Sequence, residues 1–340
     1  MGVGIELAER GLVPDAVVRV GIRRLLLERL DKERGRVNER DRFVAAMKSS
    51  PLAVSTGDAN DQHYEVPTGY FTAMLGPRLK YSCALFEDDT VSLPEAETAM
   101  LALTTARAGL ADGQDILELG CGWGSLTLFM AARFPNSRIT AVSNSHSQRQ
   151  HIEKVAAASG LANITVITCD MNDFATDQSF DRVVSVEMFE HMRNHALLFQ
   201  RIASWLKPEG RLFFHVFCHR SLPYFFEDEG ESDWMSRHFF TGGLMPSYDL
   251  PMSFQDDLVL EDRWRVNGTH YARTCRTWLD NLSANREVAL EALAGSGNPE
   301  DPRRQLNRWR LFTMACEELF AHDGGNEWHV GHFVMKPRQA

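Results

Sequence analysis

Residues 115–125 read Asp-Ile-Leu-Glu-Leu-Gly-Cys-Gly-Trp-Gly-Ser, and this stretch decides the fold. A short apolar strand runs through Glu118, the chain turns on Gly120, Gly122 and Gly124, and residues 125–134 follow as an apolar helix. Glycines at the tip of a first parallel strand let the backbone approach a ligand where no side chain would fit. The spacing is G-x-G-x-G, not the G-x-G-x-x-G that seats a dinucleotide pyrophosphate. A G-x-x-x-x-G-K-[ST] phosphate cradle is absent from the sequence. Glu118, two residues before the first glycine, sets a carboxylate where a ligand ammonium would sit.

Outward from that turn the pattern alternates as a doubly wound sheet does. Strands are expected at 115–119, 138–142, 164–168, 182–186 and 211–217, with a helix over 147–158. Ligands of open parallel sheets bind beyond the carboxyl ends of the strands. That rule collects Gly120, Ser143, Asp170, Glu187 and Cys218 around one crevice. Upstream, Ser92 with Glu95 three residues on and Pro94 in the first turn predicts a capped helix reaching about Gly109. Residues 49–62 read as a loop, and the aromatic segments 63–71 and 80–86 read as poor helices that cover a pocket.

Residues 14–32 carry apolar positions at helical spacing, with Arg19, Arg23, Arg24 and Arg29 between them. The preferred reading is a helix packed on its own domain; contact with an anionic membrane is the alternative. After Arg220 the alternation breaks into an aromatic, acidic stretch at 225–234. Helices are expected over 274–293 and through Trp309 and Phe320, around a Gly/Pro loop at 295–302. Residues 328–335 read as an antiparallel edge strand. The resulting division is 1–95 helical segment and pocket cover, 96–220 Rossmann-like core, 221–326 substrate-binding insertion, and 327–340 edge strand of the core.

Composition narrows the partners. A chain of 340 residues, 44% hydrophobic, can bury one large α/β domain with additions. A net charge of −10 argues against nucleic acid. Six scattered cysteines without a C-x-x-C pair point to reduced, cytoplasmic usage. His329 and His332 lack a further ligand at metal spacing, so no metal site is expected. Neither a signal peptide nor an 18-residue apolar span is read, so stable membrane insertion is not expected.

Residues 186–192, Val-Glu-Met-Phe-Glu-His-Met, lie where the fourth strand gives way to a helix. A helical turn from Glu187 would place Glu190 and His191 on its own face, directing two carboxylates and an imidazole at the crevice. Carboxylates attract an ammonium, and a neighbouring His or Glu can take its proton.

The acidic residue followed by G-x-G-x-G resembles motif I of the S-adenosylmethionine-dependent methyltransferases. Gly120-Cys121-Gly122-Trp123-Gly124, Tyr81-Ser82-Cys83 and Phe189-Glu190-His191 resemble, more narrowly, the cyclopropane fatty acid synthase superfamily. That group includes the mycolic acid cyclopropane synthases and the plant coclaurine-type N-methyltransferases. The likeness runs from about Gln62 to Pro337, and residues 185–192, Phe217-Cys218-His219, residues 233–243, 254–257 and 264–271 are similar to the amine branch.

The resemblance implies a Rossmann-like seven-stranded class I methyltransferase sheet holding S-adenosylmethionine. Tyr81, Ser82, Glu118, Gly120, Cys121, Gly122, Gly124, Ser143, Asn144, Gln148, Asp170, Met171, Asn172 and Val186 match its cofactor-binding positions. The usual acidic ribose ligand after the second strand is missing; Ser143-Asn144 stand there, and Gln148 matches the lipid branch's contact. The amine branch relies on residues matching Glu190 and His191, with Glu187 beside them. The lipid branch uses bound bicarbonate, held by residues matching Cys83, Glu190, His215 and Tyr271; His219 is grouped with these as a substrate residue.

The favoured expectation is N-methylation of a small cyclic or aromatic amine, with Glu187 and Glu190 holding the ammonium and His191 assisting proton removal. Methylation or cyclopropanation of an unsaturated fatty acyl chain, with bicarbonate, is the alternative. A non-catalytic cofactor binder is the alternative from another class. A homodimer is the expected assembly on the resemblance.

Overall fold

In the computed structural model the described residues are 3–54, 66–89, 91–227, 230 and 233–339. The strands, in chain order, are β1 Asp115–Leu119, β2 Arg138–Ser143, β3 Ile164–Thr168, β4 Phe180–Val186, β5 Leu206–His219, β6 Tyr224–Phe225, β7 Leu244–Met245, β8 Leu258–Val266 and β9 Trp328–Pro337. Among the described residues, seven of them form one sheet in the order β3-β2-β1-β4-β5-β9-β8, and β6 pairs with β7. β1 to β5 run parallel, while β9 runs antiparallel to both β5 and β8. The expected Rossmann-like class I sheet is present.

Each sheet face is closed by helices because alternate side chains of the same strands feed two apolar clusters. Ile116, Val184, Phe213 and Val334 pack with Leu101 of the helix Leu93–Arg107. Leu117, Val183, Phe214 and Phe333 pack with Leu198 and Phe199 of the helix His195–Trp205. The capping box written by Ser92 and Glu95 forms, which satisfies the first turn of Leu93–Arg107.

A helical layer covers the carboxyl ends of the strands. Helices Asp15–Gly35, Thr68–Met74, Gly268–Ala284 and Pro302–Ala321 bury Tyr70, Phe71, Trp278, Trp309 and Phe312 against one another. The basic helix faces its own chain, as the preferred reading required. Arg19 meets Glu317 and Glu318 at 2.8 Å, Arg23 meets Glu318 at 2.6 Å, and Arg29 meets Asp233 at 2.7 Å. Glu9, in the helix Val3–Glu9, is fully buried against Arg304, Arg308 and the Trp234 indole. Burial pushes its carboxyl up, but the hydrogen bonds from Arg308, Trp234 and Arg304 outweigh that and hold it down at about 2.

Some expectations need correction. Residues 328–335 are not an edge: β9 lies inside the sheet, and the outer strand is β8, which comes from the stretch read as insertion. The consecutive charged residues Glu261, Asp262 and Arg263 break the apolar alternation of β8, so its pattern does not read as a strand. The segment 63–71, read as a poor helix, runs into the helix Thr68–Met74, whose apolar side chains pack into the cover, tertiary burial overriding weak periodicity. The helical character expected over 274–293 is present as two helices, Gly268–Ala284 and Arg286–Ala294, parted at Asn285. Residues 55–65 of the expected loop and cover, and Asp228, Glu229 and Glu231 of the acidic stretch, lie outside the described residues. Among the described residues no helix is long and apolar enough to cross a membrane, and none of their His, Cys, Asp and Glu side chains group as a metal site.

Candidate active site

One cavity of about 980 Å³ opens at the carboxyl ends of β1, β2 and β4 beneath the helical layer. Its floor begins with the glycine turn. Gly120, Gly122 and Gly124 all take positive φ, which glycine adopts without strain. A Cβ on Gly120 would lie 2.8 Å from the Met188 side chain, and one on Gly124 2.5 Å from Ile152. Gly122 has nothing within 4 Å and presents bare backbone to the cavity.

Glu118 is buried, and its carboxylate accepts the Thr127 hydroxyl at 2.5 Å. Burial pushes the Glu118 carboxyl up to about 8, with only Thr127 opposing. Such a group is satisfied by a ligand cation. Ser143 at the end of β2 donates to Gln148 Oε1 at 2.7 Å, which fixes the amide at the start of the helix His146–Ala158. Ser143, Asn144, Gln148, Cys121, Asp170, Met171, Val186, Tyr81 and Ser82 all line the same cavity. A glycine cradle, an uncompensated buried carboxylate and these polar groups fit a ligand with an ammonium end and a polar body.

Gly124 and Asn172 stand outside the lining. Gly124 precedes the helix Ser125–Arg133 and shapes the turn. Asn172 exchanges hydrogen bonds with the Ala53 backbone at 3.1 and 3.3 Å, tying down the N-terminal layer.

The β4 end differs from the helix expected there. Glu187 has φ +51, and only Phe189–His191 forms a single 3-10 turn. A left-handed glutamate costs about 1–2 kcal/mol relative to the ordinary helical region. The strain lets the backbone N–H of Glu187 reach His215 O at 2.8 Å while its side chain turns into a ring of donors. Oε1 accepts the Cys83 backbone N–H and faces His215 Nε2, each at 3.1 Å, and Oε2 accepts the Tyr271 hydroxyl at 2.6 Å. Burial pushes the Glu187 carboxyl up to about 7, against the opposing pull of Lys80, the Tyr271 hydroxyl and the Cys83 N–H.

Glu190 is 2% exposed, and its Oε2 is buried without a hydrogen-bond partner. Burial and the neighbouring Glu187 raise its carboxyl well above the usual range. His191 lines the cavity and lies parallel to Phe240 at 6.0 Å between ring centres. Glu187, Glu190, His191 and Tyr271 therefore share one wall with Val186, whereas Cys83 and His215 stand behind it as donors to Glu187.

His219 is placed elsewhere. Its Nε2 faces Glu327 at 3.0 Å and its Nδ1 accepts the N–H groups of Ser221 and Leu222, so it caps a turn away from the cavity. Sequence reasoning missed Lys80. Its ammonium is buried, donates to Cys83 O at 2.8 Å and to the Ser82 hydroxyl, and its charge acts on Glu187. Burial lowers its pKa, against Glu187, Cys83 and Glu97. A lysine opening an otherwise aromatic segment, Lys80-Tyr81-Ser82-Cys83, was the available signal.

Comparisons with known proteins bear on this site. Residues 54–330 match the family model of mycolic acid cyclopropane synthetase. An (S)-coclaurine N-methyltransferase of Thalictrum flavum subsp. glaucum is 35% identical over 344 residues, covering 98% of this chain and 95% of that protein. A crystal structure of coclaurine N-methyltransferase bound to N-methylheliamine and SAH superposes with a TM-score of 0.93 at 34% identity, covering 97% of this chain and 98% of that one. A cyclopropane-fatty-acyl-phospholipid synthase of Escherichia coli K12 is 31% identical, covering 67% of this chain and 57% of that protein.

Proposed function

The chain belongs to the mycolic acid cyclopropane synthetase family, and from that membership we propose that it is an S-adenosylmethionine-dependent N-methyltransferase of a small cyclic or aromatic amine. Bound S-adenosylmethionine supplies a sulfonium methyl group, and displacement runs in line to a nucleophile with a free lone pair. Glu118, the Gly120–Gly122 backbone, Ser143, Asn144, Gln148, Asp170 and Met171 would hold it, with Tyr81 and Ser82 opposite.

One observation carries the amine reading: the Cys83 N–H, His215 and Tyr271 donors meet on the Glu187 carboxylate. In the lipid branch the matching residues are expected to hold a bicarbonate. Here the anion among them is a side chain, anchored at the cavity wall beside Glu190. Two buried carboxyl groups facing one apolar chain would cost several kcal/mol; facing an ammonium they are compensated. Glu187 and Glu190 attract and orient the cation. The unpartnered Glu190 oxygen and His191 then accept the proton that must leave before nitrogen can attack.

A second reading draws on the wall that Ile5, Ala8, Val18, Ile22 and Leu26 give the same cavity. That apolar surface favours methylation or cyclopropanation of an unsaturated acyl chain. Label transfer from methyl-labelled S-adenosylmethionine decides, run on secondary cyclic amines against unsaturated phospholipid vesicles and free unsaturated fatty acids. Label in an amine is the expected result. Label in lipid alone overturns it, and label in neither with tight cofactor binding returns the non-catalytic reading.

A further inference from the structure

Behind Glu187 a line of polar side chains crosses the sheet. His215 of β5 stands directly opposite His332 of β9, and His332 stands opposite Trp264 of β8. His332 packs edge-on to Phe213, two residues from His215, so all lie on the face covered by the helix Leu93–Arg107. Arg107, the last residue of that helix, spreads its guanidinium over the Trp264 ring at 4.9 Å. The spacing is continuous. Arg107 Nη1 is 2.8 Å from His332 Nδ1, His332 Nε2 is 2.9 Å from His215 Nδ1, and His215 Nε2 is 3.1 Å from Glu187 Oε1.

The direction of this chain follows from its outer end. A guanidinium carries donors only, so the His332 Nδ1 must accept. His332, fully buried, then keeps its proton on Nε2 and donates it to His215 Nδ1. His215 is left with its proton on Nε2, aimed at Glu187. Burial and the cations Lys80 and Arg107 hold both imidazoles neutral, so each has one proton to place.

We infer that Arg107 and His332 are positioning residues of the active site: the guanidinium sets the tautomer of His332, which sets that of His215, so that a donor and never a lone pair faces Glu187. The catalytic meaning of this relay rests on the amine reading above; its geometry does not. With Arg107 removed, His332 is free to carry its proton on Nδ1. The neutral His215 can then turn its lone pair to Glu187, and that oxygen pairs with it only by holding a proton.

Other groups also face Glu187. They are Lys80, the Cys83 N–H and thiol, Glu190, the Tyr271 hydroxyl, and the Cys275 and Cys316 thiols. None of them replaces the lost donor. Its loss raises the Glu187 pKa, so the acid limb of kcat/KM moves to higher pH.

The test uses the full chain labelled with 15N-histidine, with two-bond proton–nitrogen correlation spectra reporting the tautomers, alongside the pH profile of amine methylation. The wild type should show the Nε2–H form at both histidines. Arg107→Met should show mixed tautomers at both and an acid limb raised by about one pH unit, close to a tenfold loss on that limb. Activity should return above the shifted limb. Arg107→Lys, also donor-only, should restore the single form and the profile. Should Arg107→Met not fold, Arg107→Leu, which likewise offers no donor, takes its place with the same readout.

Unchanged tautomers in the folded variant overturn the relay. Shifted tautomers in a protein whose wild type methylates no amine leave the relay standing and remove the amine reading instead.

Discussion

The ends of β1 and β4 both carry a buried glutamate into the same cavity, and the protein treats the two differently. Glu118 meets one hydroxyl from Thr127 and is otherwise uncompensated. Glu187 is held by a backbone N–H, an imidazole and a phenol, with a lysine ammonium behind it. The first carboxylate is completed by what binds; the second is completed by the fold. A binding group must give its hydrogen-bonding capacity to the ligand. A group that has to keep one orientation through a reaction is fixed by several neighbours at once.

Removing the prearranged group should do the most damage. Glu187→Ala is expected to lower kcat by about a thousandfold, within the range of general acid–base effects, while cofactor affinity measured by calorimetry stays within about threefold. An equal loss in both would erase the distinction between the two strand ends.

Glu118→Gln should act the other way, weakening S-adenosylmethionine binding by about ten- to a hundredfold through loss of a charge-assisted contact. The pH dependence sharpens this prediction. In the unliganded protein Glu118 holds its proton up to about 8, whereas the unfolded chain releases it near 4.5. Its stabilising contribution is thus complete below pH 4.5 and is lost as pH rises through about 8. The wild-type melting temperature without cofactor should fall by a few degrees across that window while cofactor affinity rises. Glu118→Gln should flatten both trends.

Smaller changes probe the clamp itself. Tyr271→Phe removes one of the three donors and should cost about tenfold in kcat/KM near neutral pH, recovered as the pH rises. Cys83→Ala should change turnover by less than about threefold, because the bond to Glu187 comes from the backbone N–H. A large loss in Cys83→Ala, restored by added bicarbonate, would return the site to the lipid chemistry.

The same contrast explains what could be read in advance. The β1 turn is local: a strand, a carboxylate and three glycines within a few residues, each required by backbone geometry. Its helices and parallel strands followed from hydrophobic periodicity. The clamp on Glu187 is assembled from residues 83, 215 and 271, which the family resemblance groups around a bicarbonate but which no local pattern places around Glu187. Even the local guess there failed, because a left-handed glutamate replaces the helical turn that the residue spacing suggested. His332 was weighed only as a metal ligand with His329. Its partner is instead the strand neighbour His215, a relation set by antiparallel register.

That register has a consequence for how the molecule comes to be made. β9 is the last strand of the sheet to be synthesised, yet it lies between β5 and β8. At ordinary ribosomal speeds β5 waits on the order of ten seconds with its outer edge bare. An unpaired apolar edge recruits other chains. The nascent protein should therefore depend on chaperones during that interval, and refolding from denaturant should slow with concentration as edges meet one another first. Since β9 also carries His332, the imidazole that backs His215 and through it Glu187 arrives with the strand that closes the sheet.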